Sequence, residues 1–227
     1  MKITSYLRKL TGAAVSRTKR LWSDKQYIQL IYWAVMGERL NLKNPKSFNE
    51  KLQWLKLNNR NPLCKILVDK IEVKNWIAEH IGPEYVIPTI GVWNHPDEID
   101  FGSLPEQFVL KCNHDSGGLS ICTDKSKFNV EGAKVRLCKS LKRNYFMMGR
   151  EWPYKDVKRR ILAEKLLIDE NGDEIKDYKF FCFDGYVDCV MVCIDRQIGS
   201  PKFYFFDSNW QLKRYNKRGK EAPVDFT

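Results

Sequence analysis

Apolar positions in this chain recur with helical spacing in some stretches and with strand spacing in others. In the first 22 residues Tyr6, Leu7, Leu10, Ala14 and Leu21 are interleaved with Arg8, Lys9, Arg17, Lys19 and Arg20, the pattern of a basic amphipathic helix. Such a helix either packs one face on the domain or rests on an anionic membrane surface. Ser47 followed three residues later by Glu50 is a capping box, so a helix is expected to start at Phe48, with Phe48, Leu52 and Leu55 on one face and Asn61-Pro62 as its stop. A second helix is expected over 67–80, closed by Gly82-Pro83. The pattern then changes to strands: EYVIPTIGVW, QFVLKCN and GLSICT.

A helix resumes over 130–145, with Asn129 as N-cap and Val135, Leu137, Cys138 and Leu141 as its apolar positions. The last third reads as β. RRILAEKLLID precedes a turn at Asn171-Gly172-Asp173; DYKFFCF and YVDCVMVCIDR flank Asp184-Gly185, a hairpin signal; FYFFDSNWQL turns around Asp207 to Asn209. The class is α+β with antiparallel sheets. We divide it into a basic helical region (1–60), a first domain carrying a glycine-rich loop (61–168), and a partial second domain (169–227).

Composition narrows the function. The 227 residues are 43% hydrophobic and 13% aromatic, which excludes a disordered chain. No run of 18 apolar residues is present to span a bilayer. Seven cysteines form no CxxC pair and the N-terminus has no apolar signal core, which together favour a reducing, cytoplasmic setting. The net charge of +11 is concentrated in residues 1–25 and 211–220, flanking a balanced body. Nucleic-acid recognition would spread that charge over the fold and bring a recognisable module, so no nucleic-acid partner is expected.

The sharpest chemical feature is FVLKCNHDSGGLSIC, residues 108–122. A β run carries Lys111, and Gly117-Gly118 precede the next run. Glycines let backbone N–H groups approach phosphate oxygens, and the lysine supplies a point charge. A plain hairpin explains the same glycines, and the string is neither a Walker A loop nor GxGxxG. Downstream, Glu164 ends an apolar β run, and Asp177, Lys179 and Phe181 share one strand face. That Asp and Lys fit either a simple ion pair or a second nucleotide contact. Cys112 should point away from Lys111 and is no nucleophile. His80, His95, Asp207 and the Asp195-Arg196 pair carry weaker signals: a helix end, a loop, a turn and a surface ion pair. His114 beside Asp115 is the one histidine in the suspect loop.

FNEKLQWLKL (48–57), LVDKIEVKNWI (67–77), FVLKCNHDSGG (108–118), EWPY (151–154), AEKLL (163–167) and DYKFFCFDG (177–185) resemble, in order, the TupA-like, or teichuronopeptide-biosynthesis, ATP-grasp family. The resemblance implies an ATP-grasp fold and ATP-dependent carboxylate–amine ligation through an acyl phosphate, in the synthesis of cell-surface polysaccharide. It implies that Lys111 contacts ATP phosphates and that Asn113, His114, Asp115, Ser116, Gly117 and Gly118 form the loop over them. It further implies that Glu164, Lys165, Leu166 and Leu167 line the adenine pocket, with Lys179 a second catalytic lysine. Lys70 and Lys74 lie at a plausible place for the cleft or on a solvated helix face. The implied partners are the nucleotide and a carboxylate-bearing sugar or peptide acceptor, with peripheral contact of residues 1–25 at the inner membrane surface. Magnesium is implied too, its ligands on strands expected beyond residue 227, so the second subdomain is expected to be incomplete. A glycosyltransferase-like role and a non-catalytic relic of the family are the alternatives.

Overall fold

A computed structural model of the chain describes residues 2–168, 175–195 and 199–223. Helix α1 (Lys2–Arg17) and α2 (Asp24–Met36) pack as a pair joined by a 3₁₀ turn at Lys19–Leu21. Helix α1 is therefore shorter than the 22-residue pattern. Helix α2 was not expected, although Ser23 and Gln26 form a complete capping box at its start. The Ser47–Glu50 box does start α3 (Phe48–Asn58) at Phe48.

The single helix expected over 67–80 is two: α4 (Leu63–Val68) and α5 (Glu72–His80). The break is local chemistry. Asp69 takes extended geometry and its buried Oδ1 accepts from the N–H groups of Ile71 (2.9 Å) and Glu72 (3.4 Å), which replaces continued helix with a cap. The next helix also departs from expectation. Helix α6 (Val130–Leu141) stops four residues short of 145, and the short α7 (Phe146–Gly149) follows and ends on Arg150 in left-handed geometry.

Strands β1 (Thr89–Trp93), β2 (Phe108–Cys112), β3 (Leu119–Cys122) and β4 (Ile161–Lys165) form one antiparallel sheet in the order β1-β4-β2-β3. The stretch EYV before β1 includes a 3₁₀ turn (Pro83–Tyr85). One face of the sheet is the main core: Phe108, Leu110, Cys112, Cys122, Ile161 and Ala163 pack with Leu137 of α6. Alternation along β2 puts Val109 and Lys111 on the opposite face.

A second antiparallel sheet runs in simple order: β5 (Asp177–Phe183), β6 (Tyr186–Ile194), β7 (Lys202–Phe206) and β8 (Leu212–Lys213), followed by α8 (Lys217–Glu221). The Asp184-Gly185 hairpin is present, with both residues at positive φ (48° and 82°) as a two-residue hairpin turn requires. Asp207 is a turn residue: its carboxylate accepts from Asn209 and Gln211 N–H groups at 3.0 and 2.9 Å, which holds its pKa below the usual range. The expected turn at 171–173 lies outside the described residues. The chain divides into two compact units, residues 1–166 and 167–227, so residues 1–60 lie within the first unit. All seven cysteines are free thiols.

Candidate functional site

The register of the first sheet determines the centre of the site. Val109 pairs with Glu164 and Lys111 with Leu162, so Lys111 and Glu164 emerge on the same face, one step apart across β2 and β4. Glu164 is only 3% exposed, and a carboxylate that deep must be compensated. One of its oxygens is ion-paired to Lys111 Nζ; the other lies 2.6 Å from Lys74 Nζ. Lys74, on α5, also donates to the Ile87 carbonyl (2.7 Å) and to Thr89 Oγ1 (3.0 Å). Two ammonium groups against one carboxylate leave one positive charge in surplus. Beside Lys111 on the same face, Leu119 and Ile121 of β3 are 44% and 42% exposed, so the charge borders an open apolar strip.

The segment that follows β2 is held from three sides. Asn113 is fully buried: its amide donates to Asp69 Oδ2 and to the Lys158 carbonyl, both at 2.8 Å, and its Oδ1 accepts from Arg160 N–H at 2.7 Å. Asp115 is buried as well, with Oδ2 accepting from Ser140 Oγ at 2.6 Å and from Arg143 Nη1 at 3.3 Å. Lys70, at the break between α4 and α5, donates to the carbonyls of Asn113 and Asp115. Burial pushes its pKa down, and Lys111 nearby acts in the same direction. Its hydrogen-bond partners are backbone carbonyls, with the Asp115 and Asp69 carboxylates near enough to oppose that shift.

His114 is buried, its Nε2 donating to the Arg143 carbonyl at 3.1 Å; burial lowers its pKa and keeps it neutral. That tautomer leaves Nδ1 as an acceptor, and Nδ1 has no partner among the described residues. Gly117 sits at φ 86° with open space around its α-carbon, a conformation only glycine adopts freely. Gly118 lies so near α6 that a Cβ there would be 2.7 Å from Ser140 Cβ. Ser116 alone of the loop's polar side chains is exposed. The loop therefore has fixed ends and a small, open tip.

The sequence-derived residues thus separate by role. Lys111 lies on the open face, Ser116 and Gly117 form an exposed tip, and Gly118 packs against α6. Asn113 and Asp115 are anchors, their side chains consumed by internal bonds. Lys165 donates its N–H to the Pro88 carbonyl, continuing the ladder, while Leu166 and Leu167 follow it, Leu167 exposed. The division between units falls between those two leucines. Lys179 belongs to the second unit, where it pairs at 3.7 Å with Asp177 on the same strand face, both half-exposed. Asp195 pairs with Lys202 at 2.5 Å; Arg196 lies outside the described residues. Cys112 is buried in the core with its pKa raised by burial, as expected of a thiol facing away from Lys111. His80 stacks on Trp76, and His95 pairs with Asp97. Sequence reading missed Ser140, Arg143 and Arg160, because each acts through a partner tens of residues away, and Asp69, whose local cap on Ile71 and Glu72 is hidden by the unbroken apolar spacing. Its one reachable signal was Glu164 itself, an acid in an apolar β run that demands a cation.

A cationic strip on the open face of an antiparallel sheet, followed by a glycine loop whose start is pinned by buried hydrogen bonds, is the candidate site of the first unit. A family model described as TupA-like ATPgrasp matches residues 50–225, most of the chain, and the protein belongs to that family. No curated protein and no solved structure matches the chain. Membership implies ATP and magnesium in general. The nucleotide suits the residues described: surplus positive charge, a tip open to phosphate and an apolar strip for a base. Magnesium does not find ligands here. Glu164 is already paired with two lysines, Asp115 is engaged by Ser140 and Arg143, and among the described residues no three His, Cys, Asp or Glu side chains gather.

Proposed function

We propose that the chain binds ATP on the open face of its first sheet and uses it to join a carboxylate to an amine in the synthesis of a cell-surface polysaccharide or its peptide. The observation that carries this reading is the buried Glu164 shared by Lys111 and Lys74 beside the Gly117-Gly118 tip. In this reading Leu119 and Ile121 offer the apolar strip to the purine. Lys111, held upright by Glu164, presents its ammonium to the phosphates, and the N–H groups of Ser116 to Gly118 close on them. ATP supplies an activated phosphoryl group, which turns the acceptor's carboxylate into a good acyl donor for the amine. The residues contribute positioning and charge neutralisation rather than covalent chemistry.

Titration calorimetry with ATP tests this, with and without magnesium. Replacing Lys111 by alanine removes a charge-assisted contact of about 1.5–3 kcal/mol, so ATP affinity should fall about 10- to 100-fold. Unchanged affinity in the folded variant would overturn the site. Phosphate release from ATP that requires both a carboxylate acceptor and an amine would then establish the ligation.

A further inference from the structure

A second cationic feature of the first unit lies away from Glu164. Lys19 and Arg20, from the turn after α1, meet Lys142, Arg143 and Asn144, from the end of α6, around a cavity of about 630 Å³ whose rim carries Met147 and Met148. No carboxylate lines it. Lys19, Arg20 and Lys142 have no side-chain ion pair or hydrogen bond among the described residues; Arg143 alone is paired, to Asp115. Three uncompensated cations brought together from distant parts of the chain repel one another unless an anion joins them.

The cavity is built into the fold. Arg150, 3% exposed and stacked 4.7 Å over the Tyr27 ring, donates to the carbonyls of Lys19 and Trp22. Tyr27 Oη donates to the Met148 carbonyl at 3.1 Å. One wall is thereby tied to the other through α2, and the cations have a fixed backbone beneath them.

Exposed apolar side chains at the cavity and elsewhere in the N-terminal helical pair select among anions. Met148 at the rim is 50% exposed and Leu21, next to Arg20, is 80% exposed. On α1, Tyr6, Leu7 and Leu10 are all at least half exposed, while the same helix packs on α2. A soluble phosphate has no use for exposed apolar side chains beside its site; a phospholipid does. We infer that the Lys19–Arg20–Lys142–Arg143 cavity seats the phosphate headgroup of an anionic phospholipid, with Leu21, Met148 and the Tyr6–Leu10 face of α1 entering the interface. The protein then rests on the membrane through a fixed headgroup site as well as through the charge of its N-terminal helix. This inference is independent of ATP binding.

Co-sedimentation of the full chain with vesicles tests it, using phosphatidylcholine alone or mixed with phosphatidylglycerol. The chain should partition onto the anionic vesicles and not onto the neutral ones. Arg20 and Lys142 are exposed and make no side-chain bond, so their replacement leaves the fold intact. With each juxtamembrane charge worth about a fivefold change in partition, Arg20→Ala with Lys142→Ala should weaken binding about 25-fold, and Lys142→Arg should restore its share. Equal partition onto both vesicles, or full binding by the double variant, would overturn the site. Tight binding of glycerol phosphate or pyrophosphate without vesicle binding would assign the cavity to a soluble anion instead. Preference for a DNA oligonucleotide over vesicles would likewise overturn the lipid assignment.

Discussion

At the residue scale, the loop after β2 shows how few groups the proposed nucleotide site needs and how many it takes to hold them. Gly117 and Gly118 leave room, and around them Asn113, Asp115, Ser140 and Lys70 spend their hydrogen bonds on keeping the loop in place. His114 is the member with a pH signature. Its pKa is lowered by burial, so the unfolded chain binds more protons than the folded one below the ordinary histidine value. Its contribution is complete above about pH 6.5 and is lost as the pH falls from there toward the depressed folded value. Urea unfolding between pH 7 and 5 should therefore show stability falling in the wild type and falling less steeply in His114→Gln. Parallel slopes in the two proteins would show that His114 is not held neutral.

At the element scale, the interruption between α4 and α5 turns a helix end into part of the site. Asp69 caps α5 with one oxygen, and with the other accepts from Asn113 and ion-pairs with Arg160 at 3.4 Å. Without it the amide of Asn113 and the half-buried guanidinium of Arg160 lose a shared acceptor. Asp69→Ala should cost about 3 kcal/mol of stability, measured by urea unfolding, since a buried network loses one member. It should also loosen Lys70 over the loop carbonyls and weaken ATP binding. A cost below about 1 kcal/mol would show that α5 carries its own cap. The same residue explains why a periodicity that runs unbroken from 67 to 80 ends as two helices. The apolar spacing is indifferent to the break, which Asp69 makes locally by accepting from Ile71 and Glu72, while Asn113 and Arg160, far along the chain, hold its other oxygen.

At the scale of the whole molecule, the two units each have an apolar core. The first is built on Phe108, Leu110, Leu137 and Ile161, the second on Val190, Val192 and Phe206. The glycine loop, Glu164 and its two lysines, and the cationic cavity all lie in residues 1–166. That segment expressed alone should give a single cooperative thermal transition followed by circular dichroism. A broad, non-cooperative melt would show that the first core depends on the second unit. Among the described residues no helix is long and apolar enough to cross a membrane.

What the sequence determined by itself was local: caps, turns and alternation. The Ser47–Glu50 box, the Asp184-Gly185 hairpin, the Asp207 turn, the opposite facing of Lys111 and Cys112, and the family strings from residue 48 onward were legible because each depends on neighbours within a few positions. The Ser23–Gln26 box was equally legible and went unread. Partnership was settled by tertiary packing. Glu164 between Lys74 and Lys111, Asp115 on Ser140, Asn113 on Asp69, and Lys19 and Arg20 beside Lys142 join residues tens of positions apart. The physical reason is that a charge or amide in a sequence shows its need for a partner, whereas which partner answers is set by strand register and helix packing, and those are fixed only when the core closes.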